Sequence, residues 1–234
     1  MRDWVEWHQA YADPASGLSA RLRSVRRHLS RAIDQAAAGP VRLVSLCAGQ
    51  GDDVVGVLAV HPRRDQVSAV LVEAEPRNVQ VARCRAAAAG LAQVQVRQAD
   101  ASWPESFADA LPAGILLLCG IFGNVSDADI ERTAAAAPAL CAPGATVIWT
   151  RHRRSPDLTP SPTPGSGNWP STPWTPLRWR LSESAGSAMP HPWACPPGPC
   201  SPSARHEAGQ HAALGGRTGH LSRVADSMVL TRRV

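Results

Sequence analysis

The chain has 234 residues, 44% of them hydrophobic, enough for one core domain and an additional segment. All 24 basic residues are arginine; residues 1–160 hold 17 of them against 16 acids, and residues 161–234 hold 7 against 3. The first two-thirds is therefore near neutral and lacks the basic face of a nucleic-acid binder, and the absence of lysine excludes a P-loop.

Residues 1–40 form a predicted N-terminal helical cap. It opens on an aromatic stretch of Trp4, Trp7, His8 and Tyr11, turns at Asp13-Pro14, and has Ser16 placed to cap a helix. From Leu18 to Ala38 the apolar residues Leu18, Leu22, Val25, Leu29 and Ile33 recur every three or four positions. They make one face of an amphipathic helix, with Arg23, Arg26, Arg27 and Arg31 mostly opposite and Gly39-Pro40 as the stop.

Residues 41–154 alternate apolar runs with helical patterns. The runs Arg42–Cys47, Ser68–Glu73, Gln93–Arg97, Ile115–Leu118 and Thr146–Thr150 are nearly continuous, as in parallel strands covered on both faces. Between them the pattern predicts helices over Asp53–Val60, Pro76–Ala89, Pro104–Ala110 and Ala128–Leu140, the last capped by Asp127. The expected fold is α/β: a Rossmann-like, doubly wound, mostly parallel sheet with an N-terminal helix.

Residues 155–234 differ in composition. Thirteen of the 21 prolines lie between 156 and 202, and residues 161–234 contain four tryptophans but no Ile, Phe or Tyr. The expectation is a disordered or irregular C-terminal third without the last strands of the sheet. A Trp-, Pro-, Ser- and Arg-heavy stretch without lysine is also what a GC-rich gene yields when read out of frame.

The chemistry concentrates after the first strand. The loop Cys47-Ala48-Gly49-Gln50-Gly51 follows it and opens a helix, and glycines there suit positive φ or close approach of a ligand. Ligands of open α/β sheets bind at the carboxyl ends of the strands. Glu73 ends the second apolar run, where a carboxylate can accept from ribose hydroxyls, and Asp100 follows the third, where it can receive an adenine amino group. Asp52 and Asp53 would repel a pyrophosphate at the helix start, and the third glycine of a dinucleotide fingerprint is missing. A cationic sulfonium ligand fits better than a nicotinamide dinucleotide.

This order of elements resembles class I S-adenosylmethionine-dependent methyltransferases. It is especially similar to an actinobacterial-type subgroup with a Leu-Cys-Ala-Gly-Gln-Gly loop and a Cys-Gly-Ile/Val-Phe-Gly-Asn segment. The resemblance spans about Trp7 to Pro160 and implies S-adenosyl-L-methionine as cofactor, held by Cys47, Ala48, Gly49, Gln50, Gly51, Glu73, Asp100 and Cys119. Two positions depart from the family pattern: Ser45 replaces the usual acid before the loop, and Cys47 replaces its first glycine. Phe122, Asn124 and Tyr11 are expected to line the acceptor pocket, and the aromatic N-terminus reads either as a lid over it or as a clasp packing on the sheet.

The expected activity is methyl transfer to a small-molecule acceptor. No Asn-Pro-Pro-Tyr motif of DNA base methylation is present, and the Pro-Cys dipeptide of the chain, Pro199-Cys200, falls in the proline-rich C-terminal segment and not after the fourth apolar run. Asn124, Asp127 and His152 are the polar candidates near the fourth and fifth strand ends, and none is assigned as a catalytic base. The alternatives are a non-catalytic adenosyl-ligand binder, an inactive truncated remnant, and an NAD(P)-dependent oxidoreductase. The six cysteines show no metal-ligand spacing, the polar N-terminus no signal peptide, and no apolar run approaches a membrane span. A cytoplasmic protein without metal, membrane or nucleic-acid partner is expected.

Overall fold

The computed structural model describes residues 10–152 and 227–233. Six strands form one sheet: β1 (Val41–Leu46), β2 (Val67–Glu73), β3 (Val94–Gln98), β4 (Ala113–Leu118), β5 (Cys141–His152) and β6 (Ser227–Arg233), in the order β3-β2-β1-β4-β5-β6. All neighbours run parallel except β5 and β6, which are antiparallel, with Trp149 opposite Leu230. The expected doubly wound α/β architecture is present.

The helices are α1 (Gly17–Gln35), α2 (Val54–Leu58), α3 (Pro76–Ala88) and α4 (Asp127–Ala136). Strand residues alternate between two cores. Leu43, Leu71, Ile115, Leu117 and Ile148 pack with Val25 and Leu29 of α1, Val54 and Leu58 of α2 and Val79 of α3. Val44, Val72, Leu116, Leu118 and Val147 pack on the other face with Phe107, Phe122, Ile130 and Leu140. Burial on both faces is why β1, β2 and β4 read as continuous apolar runs, while the edge strand β3 alternates buried and exposed positions.

Several element boundaries differ from expectation. Residues 104–110 are two 3-10 turns, Pro104–Ser106 and Ala108–Ala110, rather than a helix, because Phe107 between them turns into the core at 2% exposure. The last helix is capped by Ser126, not Asp127. The Ser126 hydroxyl accepts from Asp129 N–H at 3.2 Å, and Ser126 N–H donates back to Asp129 Oδ2 at 3.3 Å. Asp127 instead faces Arg151 at 3.3 Å.

The sheet does not stop at β5. A strand from the C-terminal segment, Ser227–Arg233, pairs antiparallel along β5, so one of the last strands expected to be missing is present. An edge strand needs only extended backbone and a partner, so three apolar residues in a row (Met228-Val-Leu) gave no visible period. Trp4, Trp7, His8 and residues 153–226 of the predicted irregular tail lie outside the described residues.

Arginines close the helix ends. Arg63 donates to the carbonyls of Ile33 (2.5 Å), which also accepts from the cap Ala36 N–H, and of Ala36 (3.0 Å) and Ala37 (2.9 Å) past the end of α1. Arg64 does the same for Ala89 (2.8 Å) and Gly90 (3.1 Å) past α3. Replacing Arg63 by alanine is expected to cost about 1–3 kcal/mol, the range for losing hydrogen bonds from a charged donor. Urea unfolding should show a lower midpoint with an unchanged slope.

Candidate functional site

The strand order reverses between β1 and β4, which leaves a crevice at their carboxyl ends. A cleft of about 370 Å³ occupies it, walled by the segments that leave β1, β2, β3 and β4 and by α1. Its polar walls carry Asp52, Asp53, Glu73, Glu75 and Asp100, with Arg21 and Tyr11 on the α1 side.

The floor is the loop after β1. Cys47, Gly49 and Gly51 take positive φ of 54°, 56° and 71°. Left-handed backbone is open to glycine without penalty but strained for cysteine, so Cys47 holds a conformation its side chain disfavours. Gly51 has a packing reason as well: a Cβ there would meet Leu71 and Val55 at 3.2 Å. The loop is tied down by Ala48 N–H donating to Val72 O at 3.0 Å and Gly49 N–H donating to Glu73 Oε2 at 2.7 Å.

Glu73 therefore sits at the centre of the wall. Its Oε1 accepts from Glu75 N–H at 2.9 Å while Oε2 holds the loop. Asp100 Oδ1 accepts from Ser102 N–H at 2.8 Å and turns the chain after β3 back along the cleft. Asp52 is paired with Arg85 at 2.8 Å, and its carbonyl accepts from Arg26 Nε at 2.9 Å. Arg26, expected on the exposed side of α1, reaches this loop across Gly56, where a Cβ would meet the guanidinium at 2.5 Å.

Asp53 starts α2 and accepts from Val54 N–H at 2.7 Å. Burial and the neighbouring Asp52 push its carboxyl up to about 6, against the pull of Val54 N–H and Arg26. Tyr11 is held by Arg21, whose guanidinium donates to its hydroxyl at 2.8 Å, and Tyr11 titrates above its ordinary range because of burial. The Cys47 thiol opens onto the cleft but is crowded by protein. Desolvation, then Glu73 and Asp100, push it up to about 12, so it is a neutral lining group. Cys119 is likewise raised well above the thiol range by burial and by Asp53.

Among the residues singled out from the sequence, Tyr11, Cys47, Ala48, Gly49, Glu73, Asp100, Cys119 and Asn124 all line this cleft. Asn124 donates to Gly120 O at 2.7 Å and so braces the loop after β4. Gln50, Gly51 and Phe122 stand behind the wall. Gln50 is buried and donates to Asn78 at 3.2 Å, Gly51 packs on Leu71, and Phe122 belongs to the second core. The side chain of His152 lies outside the described residues. Arg21, Leu22 and Val25 were not anticipated as lining. The available signal was Arg21 itself, an arginine on the apolar stripe of α1 and only 9% exposed.

Among the described residues no group of three or more His, Cys, Asp or Glu is placed to hold a metal ion, and no helix is long and apolar enough to cross a membrane.

Residues 10–160 match a protein family described as "Putative methyltransferase". No curated protein matches the sequence. Solved structures similar to this chain include an O-methyltransferase family protein from Burkholderia thailandensis, 17% identical over 59% of this chain and 40% of that one, with a TM-score of 0.47. An S-adenosylmethionine-dependent methyltransferase from Geobacter sulfurreducens, in complex with S-adenosyl-L-homocysteine, is 17% identical over 55% and 47%, with a TM-score of 0.40. An RNA methyltransferase from Salinibacter ruber with the same ligand is 23% identical over 53% and 74%, with a TM-score of 0.40. The chain thus spans less than half the length of the first two.

The position of Asp53 has a consequence for stability. Its folded-state value of about 6 lies above the ordinary carboxyl value of 3.8, so its contribution is intact below about pH 4 and is lost as pH rises through 6. Asp53→Asn keeps the acceptor for Val54 N–H and removes the charge. The variant should be more stable than the parent by about 1–3 kcal/mol at pH 7.5 and no more stable at pH 3.5. Urea unfolding at the two pH values measures this; an equal effect at both would show that the charge is not the cause.

Proposed function

The chain belongs to this methyltransferase family across residues 10–160, and from that premise we propose that it is an S-adenosylmethionine-dependent methyltransferase acting on a small-molecule acceptor. The observation that carries the reading is the run of carboxylates, Asp52, Asp53, Glu73 and Asp100, in one cleft at the carboxyl ends of the strands.

That donor set fits a sulfonium cofactor. A nicotinamide dinucleotide would set its pyrophosphate at the N-terminus of α2, where Asp52 and Asp53 stand in place of bare N–H groups. A ligand with a positive sulfur and no phosphate meets attraction at the same place. In this reading Glu73 holds the ribose hydroxyls, Asp100 the adenine edge, and the Cys47–Gly49 backbone with Cys119 the remainder. When bound, the cofactor supplies an electrophilic methyl group. The chain's own contribution is to align the acceptor and exclude water, which is most of what a displacement of this kind requires. Tyr11, Ile121, Asn124 and Val125 also line the cleft and would receive the acceptor.

The same charges favour a small acceptor over a nucleic acid. A polyanionic backbone would face the carboxylates of Asp52, Asp53, Glu73, Glu75 and Asp100 in the cleft. The four described cysteines are free thiols, which supports a reducing, cytoplasmic setting.

Isothermal titration with S-adenosyl-L-homocysteine and with NADH tests the cofactor. Binding of the first and none of the second is expected, and Glu73→Ala should weaken binding about 10- to 100-fold through lost hydrogen bonds to a charged acceptor. Binding of NADH alone would overturn the reading. Release of S-adenosyl-L-homocysteine in the presence of small-molecule pools, but not of total RNA, is the expected outcome for the acceptor.

A further inference from the structure

The loop after β4 carries a polar group that the cofactor reading leaves unused. The loop is closed on itself: Asn124 N–H donates to Ile121 O at 2.9 Å, and Asn124 Nδ2 donates to Gly120 O at 2.7 Å. It is also fixed to β5, because Gly120 N–H donates at 2.9 Å to Oγ1 of Thr150, which is only 3% exposed. These bonds decide how the Asn124 amide is turned. A carbonyl oxygen can only accept, so the amide gives its NH2 to Gly120 and keeps Oδ1 for another partner. Asn124 is exposed and lines the cleft, and its Oδ1 takes no hydrogen bond among the described residues. The loop thus holds out a neutral acceptor, braced from β5, beside the apolar Ile121 and Val125 of the same lining.

We propose that the methyl acceptor is an amine, a primary or secondary nitrogen on an otherwise apolar small molecule, and that Asn124 Oδ1 accepts its N–H and so turns its lone pair toward the methyl group. The assignment rests on the methyltransferase reading above and narrows its acceptor. It makes Asn124 a specificity-determining residue rather than only a brace of the loop.

Two features select nitrogen over oxygen. The first is the demand for a base. An amine sheds one proton to solvent and attacks with its own lone pair: the C–N bond forms as the S–CH3 bond breaks, the sulfonium leaves as a thioether, and the alkylated ammonium gives its second proton to solvent. A hydroxyl must lose its proton to a base as the methyl arrives, and an amide oxygen is too weak a base to take it. Of the four residues that would receive the acceptor, only Tyr11 and Asn124 are polar, and burial keeps Tyr11 a neutral phenol. The second feature is charge. The carboxylates of the lining, Asp52, Asp53, Glu73, Glu75 and Asp100, draw amines, which are cations at neutral pH, and disfavour an anionic acceptor.

The test follows a labelled methyl group. The full chain is incubated with methyl-labelled S-adenosyl-L-methionine and a cellular small-molecule extract, and mass spectrometry locates the label in the products. Label on nitrogen is expected; label on oxygen, as an ether or an ester, would overturn the proposal. Asn124→Ala should lower the labelled amine about 5- to 100-fold, the range for leaving one donor unsatisfied, with the affinity for S-adenosyl-L-homocysteine unchanged in titration. Asn124→Asp cannot donate to Gly120 O but still offers an oxygen to an N–H, so it should retain more amine product than Asn124→Ala. An equal or greater loss in Asn124→Asp would reduce Asn124 to a brace and overturn its part in recognition. If the unmodified chain fails to bind S-adenosyl-L-homocysteine, or binds it and labels nothing, the methyltransferase reading itself fails, a result distinct from the others.

Discussion

One hydrogen bond fixes the geometry on which the site depends: Gly49 N–H donating to Glu73 Oε2 at 2.7 Å. It joins the loop leaving β1 to the last residue of β2, and it requires the loop to run through three left-handed positions so that the N–H points sideways rather than along the strand. Everything else in the cleft is referred to that link. Ala48 is anchored to Val72 O beside it, Gly51 N–H closes on Ala48 O, and α2 then starts with Asp53 facing the cavity. The strain carried by Cys47 is tolerated because the loop is pinned on both sides.

The electrostatic character of the cleft follows from where the arginines are used. Arg26 and Arg85 hold the loop from outside through Asp52 and Gln50 carbonyls and the Asp52 carboxylate. Arg63 and Arg64 take helix-end carbonyls, and Arg83 takes Val96 O at 2.9 Å. Apart from the Arg85–Asp52 pair, these contacts are to backbone carbonyls. The acids that remain in the cleft are thus only partly compensated, and Arg21 brings a positive side chain to its lining from α1. A chain that is close to neutral over its first 160 residues acquires a negative pocket in this way.

The sheet was legible because both faces of its inner strands are buried: β1, β2, β4 and β5 each have consecutive apolar residues that can be seen without knowing their partners, whereas the edge strand β3 (Val-Gln-Val-Arg-Gln) shows only the alternation of a half-buried strand. The site was legible where function follows from position, as with Glu73 and Asp100, each an acid at the end of an apolar run. What failed to show was whatever depends on tertiary contact. Arg21, Leu22 and Val25 face the cleft only because α1 crosses the start of α2, and no local period encodes that crossing. Phe122 reads as a pocket residue beside Asn124, yet the turn after β4 carries it into the core below. Strand β6 is defined by its pairing with β5 rather than by its own composition.

That last strand bears on the site from a distance. Strand β5 lies next to β4, whose carboxyl end carries Cys119 and the Gly120–Asn124 turn, and Gly120 N–H donates to Thr150 Oγ1 of β5 at 2.9 Å. An edge β5 would have unpaired backbone along one side and would be free to fray at that end. With Thr150 opposite Val229 of β6, β5 is held on both sides and the Gly120 contact has a fixed partner. The C-terminal segment therefore enters the argument through mechanics, not through a residue in the cleft: it stiffens the strand that positions the loop after β4.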